Sequence, residues 1–91
     1  MSKITSLAQF KVFRTLRLQK NILKKLEFFE EIEFHIGRQK NIPKKTKLEA
    51  AEILKKFHQD LEDFETRPFE SLQIFLNEIE AAIQQFIILL V

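Results

Sequence analysis

Residues 68–91 read PFESLQIFLNEIEAAIQQFIILLV. Leu72, Leu76, Ile79, Ile83, Phe86 and Leu90 recur at spacings of four, three, four, three and four. That period places all six on one line of an α-helix and none of them on a regular face of a strand. Pro68 is acceptable in a first helical turn and nowhere deeper, so the spacing predicts a helix over about 68–90. A second, thinner line, Ile74, Ala81 and Ile88, lies away from the first at seven-residue intervals. The closing FIILLV (86–91) is divided between them: Phe86 and Leu90 continue the main line, Ile88 the second, and Ile87, Leu89 and Val91 widen the apolar face.

Working backwards, ETRPFE (65–70) breaks the pattern, and before it Ala50, Leu54, Phe57, Leu61 and Phe64 repeat the same four-three spacing. This is a heptad line facing one partner. Thr46 followed by Glu49 resembles a capping box, so this helix is expected over about 47–65. The short link at Pro68 then implies an antiparallel hairpin of the two helices. GRQKNIPKK (37–45) is the one clear loop, with Ile42 pushed out of helical geometry by Pro43.

The first helix is expected from about residue 6 to 36. Ser6 with Gln9 makes a second capping-box pattern, and Gly37 is a natural stop. It has two apolar stripes. Leu7, Leu18, Ile22, Phe29, Ile32 and Ile36 share one side; Val12, Leu16, Leu23 and Phe34 share another, roughly 140° round at about 100° per residue. Phe10, Phe13, Leu26 and Phe28 flank them. Two stripes require packing on more than one side. A break near Asn21 would instead give four shorter helices. The fold class is all-α: a single domain, 1–91, with a long N-terminal helix packed against a two-helix hairpin as a three-helix bundle, dimerised through its leftover apolar surface.

Composition agrees. One Gly and two Pro leave few tight turns. Ten Phe with no Trp or Tyr supply bulk without a polar tip. The absence of Cys excludes disulfides, thiolate metal sites and cysteine nucleophiles, and fits a cytoplasmic protein. No run of about 20 apolar residues stands out, so no transmembrane helix is expected. The acid-poor start overlaps in composition with a mitochondrial presequence, but its apolar pattern continues unbroken past residue 25, as in an ordinary helix.

The net charge of +2 conceals blocks. Residues 1–26 carry seven bases and no acid; Glu27, Glu30, Glu31 and Glu33 follow; the loop region is basic; and from residue 48 nine acids face three bases. No catalytic constellation emerges. His35 and His58 have Glu31 and Glu62 one helical turn away, a geometry that fits exposed ion pairs, while the Glu-x-x-His ligand pattern of helical di-metal sites is missing. Glu27 to Glu33 point several ways round a helix, and Ser71 has no neighbouring base. We therefore expect no enzyme activity, no cofactor and no metal.

The candidate basic patch is Lys11, Arg14, Arg17, Lys20, Lys24 and Lys25, extended by Lys44 and Lys45. Such a patch suits phosphate backbones, or acidic surfaces on this chain or another. No nucleic-acid-binding motif accompanies it. The candidate protein interface is Phe10, Phe13, Phe28, Ile74, Ile88 and Leu89. The leading expectation is a small helical assembly or adaptor protein, a homodimer or partner of another helical protein. The alternatives are a nucleoprotein subunit and a helical inhibitor or immunity-type protein; a membrane partner is not expected.

Overall fold

A computed structural model describes the backbone of residues 3–91 and the side chains of residues 11–91. The chain is 86% helical, with three helices and no strand among the described residues. Helix α1 spans Lys3–Arg38, α2 Lys44–Asp60 and α3 Phe69–Ile87. Short 3-10 turns follow α2 (Phe64–Thr66) and α3 (Ile88–Leu90). At about 1.5 Å per residue α1 is about 54 Å long, and it runs most of the 61 Å length of the molecule.

Helix α1 is continuous through Asn21, so there are three helices and not four. Two of its boundaries differ from the sequence reading. It is already helical at Lys3, which places Ser6 inside the helix and not at its cap. It also runs through Gly37 to Arg38, so Gly37 is a helical residue and not the stop. Its backbone is not in the left-handed region, and a Cβ there would meet no atom within 4 Å. The turn is made one step later, where Gln39 donates its N–H to the carbonyl of Ile36 (3.2 Å).

Helix α2 is shifted towards the N-terminus relative to the expected 47–65. Pro43, with φ −59° and ψ 147°, occupies the N-cap, and its carbonyl accepts the N–H of Lys47 at 3.2 Å. Thr46 therefore sits in the first turn and makes no capping bond. At the far end the bonding tightens to three-residue turns: Leu61 to His58 and Glu62 to Gln59, both at 3.2 Å. Phe64 then closes onto Leu61 at 3.1 Å. The helix ends at Asp60, and Leu61 and Phe64 keep their packing from a turn instead of a helix. The Thr66 hydroxyl donates to the Asp63 carbonyl within that turn and caps no helix. Pro68, extended at ψ 159°, is the N-cap of α3.

The core lies along one side of α1. Leu18, Ile22, Leu26, Phe29, Ile32 and Ile36 are buried there, which is the first predicted stripe from Leu18 onward plus Leu26; Leu7 lies outside the residues whose side chains are described. Helix α2 runs back along α1: His58 reaches Glu30 and Phe64 reaches the level of Leu16 and Leu23. Helix α3 runs forward along it: Phe69 lies at Arg14, Glu80 at Lys25 and Phe86 at Phe29. The two shorter helices run in opposite directions along α1, and each packs mainly on α1 and only narrowly on the other. Their meeting point is Phe57 against Phe75, ring centroids 5.9 Å apart and edge-on.

Phe29 is the hub of this packing. It is fully buried, 5.6 Å from Phe57 of α2 and 6.0 Å from Phe86 of α3. Edge-on and tilted rings at such distances add attraction beyond their burial. The loop also contributes: Ile42, excluded from a helix by Pro43, is buried at one end of the core.

Helix α3 buries Leu72, Leu76, Ile79, Ile83 and Phe86 from the predicted line, and Phe75 and Ala82 beside it. Because it touches both other helices, its apolar face is wider than one heptad line. Phe69–Leu90 is long and apolar enough to cross a membrane by length and composition, which corrects the expectation that no such segment exists. Here its apolar side faces α1 and α2, and Glu80 within it pairs with Lys25.

Candidate interaction surface

The second stripe of α1 remains uncovered. Val12 is 56% exposed and Phe34 55%, with Leu16 and Leu23 nearly as open. These side chains lie well round the helix from the buried stripe, which explains why the two shorter helices do not reach them. The stripe is widest in the N-terminal half of α1. There Phe13, Leu16 and Leu23 face Phe64 across an open groove of about 580 Å³. Arg17, Lys20 and Gln19 form its rim on the α1 side, and Glu65 faces them from the turn after α2. The groove lies where α2 has stopped at Asp60 and its tight turn brings Phe64 and Glu65 back towards α1.

Chemically this is an apolar trough with a basic edge on α1 and acidic Glu65 opposite. Among the described residues no three His, Asp or Glu side chains cluster as metal ligands would. The trough has the character of a docking surface.

The sequence-derived interface residues divide. Phe13 is 60% exposed and lines the groove; Phe28 is exposed on another side of α1. Phe10 lies outside the residues whose side chains are described. Ile74 is exposed on α3, and Ile88 and Leu89 are exposed in the 3-10 turn that follows it. Polar Asn77, Glu78, Gln84 and Gln85 are exposed along the same stretch, and Val91 is exposed just beyond Leu89. Of the terminal FIILLV, Phe86 is buried, and Ile87 and Leu90 pack against the core.

The basic patch divides as well. Lys11, Arg14, Arg17, Lys20 and Lys24 are exposed along the first half of α1. Arg14 lays its guanidinium over the Phe69 ring, 4.3 Å from the centroid, where it closes the start of α3. Lys25 is paired with Glu80 at 3.8 Å. Lys44 and Lys45 stand in the first turn of α2, beyond Arg38, and are not brought beside the others. Arg17 and Arg38 alone are separated by about 30 Å of helix.

Both histidines are exposed. His58 Nε2 lies 2.9 Å from a Glu30 carboxylate oxygen, across the α1–α2 contact, and not against Glu62. His35 stacks edge-on with Phe34 at 5.6 Å and makes no ion pair with Glu31.

Sequence reasoning missed Arg67. It donates from Nε to the Ser71 hydroxyl (2.9 Å) and from Nη1 to the Asp60 carbonyl (3.3 Å), and lies over the Phe75 ring at 5.0 Å. It thereby ties the end of α2 to the start of α3. Its position one residue before Pro68 was the available signal, because a linker residue next to a helix start can reach both helices. Comparison with protein-family models, curated proteins and solved structures found no match to this chain.

Proposed function

We propose that the protein is a small, non-enzymatic helical assembly or adaptor protein that works through protein–protein contacts and associates with itself. In this reading the three helices are an up–down–up bundle, and the stripe on α1 is the face that a second chain covers. One observation carries it: Val12, Leu16, Leu23 and Phe34 form an uncovered apolar line along the same helix whose opposite side builds the core. Lone apolar residues on a surface need no explanation, but an aligned set beside a groove of matching character does. Ile88 and Leu89 at the end of α3 offer a secondary contact. Sedimentation velocity across a hundredfold concentration range tests the proposal. A rising sedimentation coefficient is expected. A strict monomer at the highest concentration refutes self-association.

A second reading rests on the exposed Lys11, Arg14, Arg17, Lys20 and Lys24 along one half of α1. Such an arc suits contact with a nucleic-acid backbone. The expected signature is affinity for DNA or RNA that falls steeply with salt and is lost on reversing Arg17, Lys20 and Lys24. No binding at low salt removes it. Lys25 is already engaged by Glu80, and Glu65 stands near Arg17 and Lys20, which makes this the weaker reading.

A further inference from the structure

The uncovered stripe has an internal symmetry. Val12, Leu23 and Phe34 are spaced eleven residues apart on an unbroken helix. Eleven residues make nearly three full turns, so the three side chains return to within about 20° of one direction and form a straight line. Between them, Leu16 and Gln19 on one side of Leu23 are mirrored by Glu30 and Glu27 on the other. The spacing four, three, four is followed by its own reverse.

We infer that the second copy docks α1 against α1 in antiparallel orientation, with the two-fold axis at Leu23. This rests on the self-association reading and specifies its geometry. In this register Leu23 meets Leu23 of the partner subunit, and Val12 meets the partner's Phe34. Gln19 faces the partner's Glu27. Leu16 packs on the methylene groups of the partner's Glu30, whose carboxylate is already bonded to His58 of its own chain.

Charge selects this register over the others. From Lys11 to Leu26 the helix carries six bases and no acid, and from Glu27 to Glu33 four acids and no base. A parallel pair sets bases against bases and acids against acids. An antiparallel pair centred between Leu16 and Gln19 also buries its apolar residues, but it brings Lys11 to the partner's Lys24 with no acid within reach. Centred on Leu23, residues 11–19 with Lys11, Arg14 and Arg17 lie on the partner's acidic residues 27–35, while Lys20, Lys24 and Lys25 flank the axis, where Lys20 comes beside the partner's Glu27. Both side chains are exposed in the single chain, and neither has an ion-pair partner among the described residues. Within one helix the order of these blocks is the one that the helix dipole disfavours, bases ahead of acids. The antiparallel partner answers both blocks. It also supplies an occupant for the groove at Phe13, Leu16 and Phe64: the acidic, Phe34-bearing segment of the other copy, lying against the basic rim at Arg17 and Lys20, with Glu65 on the far side.

Cysteine cross-linking reads the register directly, since the chain has no Cys of its own. Facing residues of helices about 10 Å apart bring their Cα atoms within disulfide range. Leu23→Cys should cross-link with itself on oxidation. Val12→Cys alone and Phe34→Cys alone should not, because each lies about 33 Å along the axis from its own copy. An equimolar mixture of the two should give a mixed disulfide. Lys20→Glu should weaken dimerisation roughly three- to tenfold, and adding Glu27→Lys should restore it. Self-linking of Val12→Cys overturns the antiparallel arrangement. A dimer by sedimentation that yields neither the Leu23 product nor the mixed product overturns the register and leaves self-association standing. A monomer overturns both.

Discussion

Phe29→Ala is the sharpest test of the packing. Phe29 is fully buried at the one point where all three helices meet, against Phe57 and Phe86. Removing a buried Phe side chain costs about 3–5 kcal/mol, from lost burial and the cavity left behind. Two ring–ring contacts are lost as well, each worth about 0.5–1.5 kcal/mol beyond burial, so the upper part of that range applies. We expect a loss of about 4 kcal/mol. At roughly 0.05–0.15 kcal/mol per residue the whole domain holds about 5–14 kcal/mol, so the variant keeps at most about two thirds of its stability. A domain of this size loses about 4–8 °C in Tm per kcal/mol, which predicts a fall of at least about 15 °C. Phe29→Leu keeps most of the volume and loses the ring contacts, for about 1–2 kcal/mol. The assay is urea unfolding followed by far-ultraviolet circular dichroism, in dilute protein. Phe34→Ala, on the open stripe, is the control and should stay within about 0.5 kcal/mol of the parent. A loss below about 1 kcal/mol for Phe29→Ala, or an equal loss for Phe34→Ala, would mean that the assignment of core and open faces on α1 is wrong.

Three further substitutions probe single features. Gly37→Ala should stabilise the monomer by about 0.5–1 kcal/mol in the same unfolding assay, because Gly37 is helical, exposed and has room for a Cβ; destabilisation would show that the residue is a helix stop after all. Arg67→Lys should cost about 1–2 kcal/mol, because an ammonium cannot reproduce the bonds to Ser71 and Asp60 while lying over Phe75; an unchanged midpoint would remove Arg67 as the tie between α2 and α3. A double-mutant cycle on Glu30 and His58 should return a coupling of at most about 1 kcal/mol, since both side chains are nearly half exposed; a larger value would mean that the pair is shielded in the working form of the protein.

The helical period made most of the architecture legible. On α3 the line from Leu72 to Phe86 is buried as its spacing implies, and on α1 Leu18 to Ile36 are buried likewise. Phe75 and Ala82 were not legible, because a single heptad line describes contact with one neighbour and α3 has two. Helix ends were the least legible feature. Thr46–Glu49 and Ser6–Gln9 have the composition of capping boxes, yet Pro43 starts α2 from its own carbonyl, and α1 was already under way by Lys3. Gly37 looked like a stop because Gly is common just past helix ends; nothing in its own backbone requires that role. The surface was legible in a different way. The second stripe of α1 was visible from its period, but a period cannot say whether a helix of the same chain or of another covers it. The groove at Phe64 depends on where α2 ends, and so it came into view only with the fold.

The way α2 and α3 both lean on α1 has a consequence for how the chain reaches its native state. Contacts of α1 with α2 close a short loop, but those of α1 with α3, the larger share of the core, join segments more than half the chain apart. During synthesis α1 leaves the ribosome with both apolar stripes bare, and α2 shields only part of one before α3 arrives. A chain cut after Thr66 should therefore show helical signal without a cooperative unfolding transition, because the pieces left cannot close a core. Of the three helices, α3 is the one that turns a long amphipathic rod into a folded protein, and until it is made α1 is a surface for chaperones or for premature self-assembly.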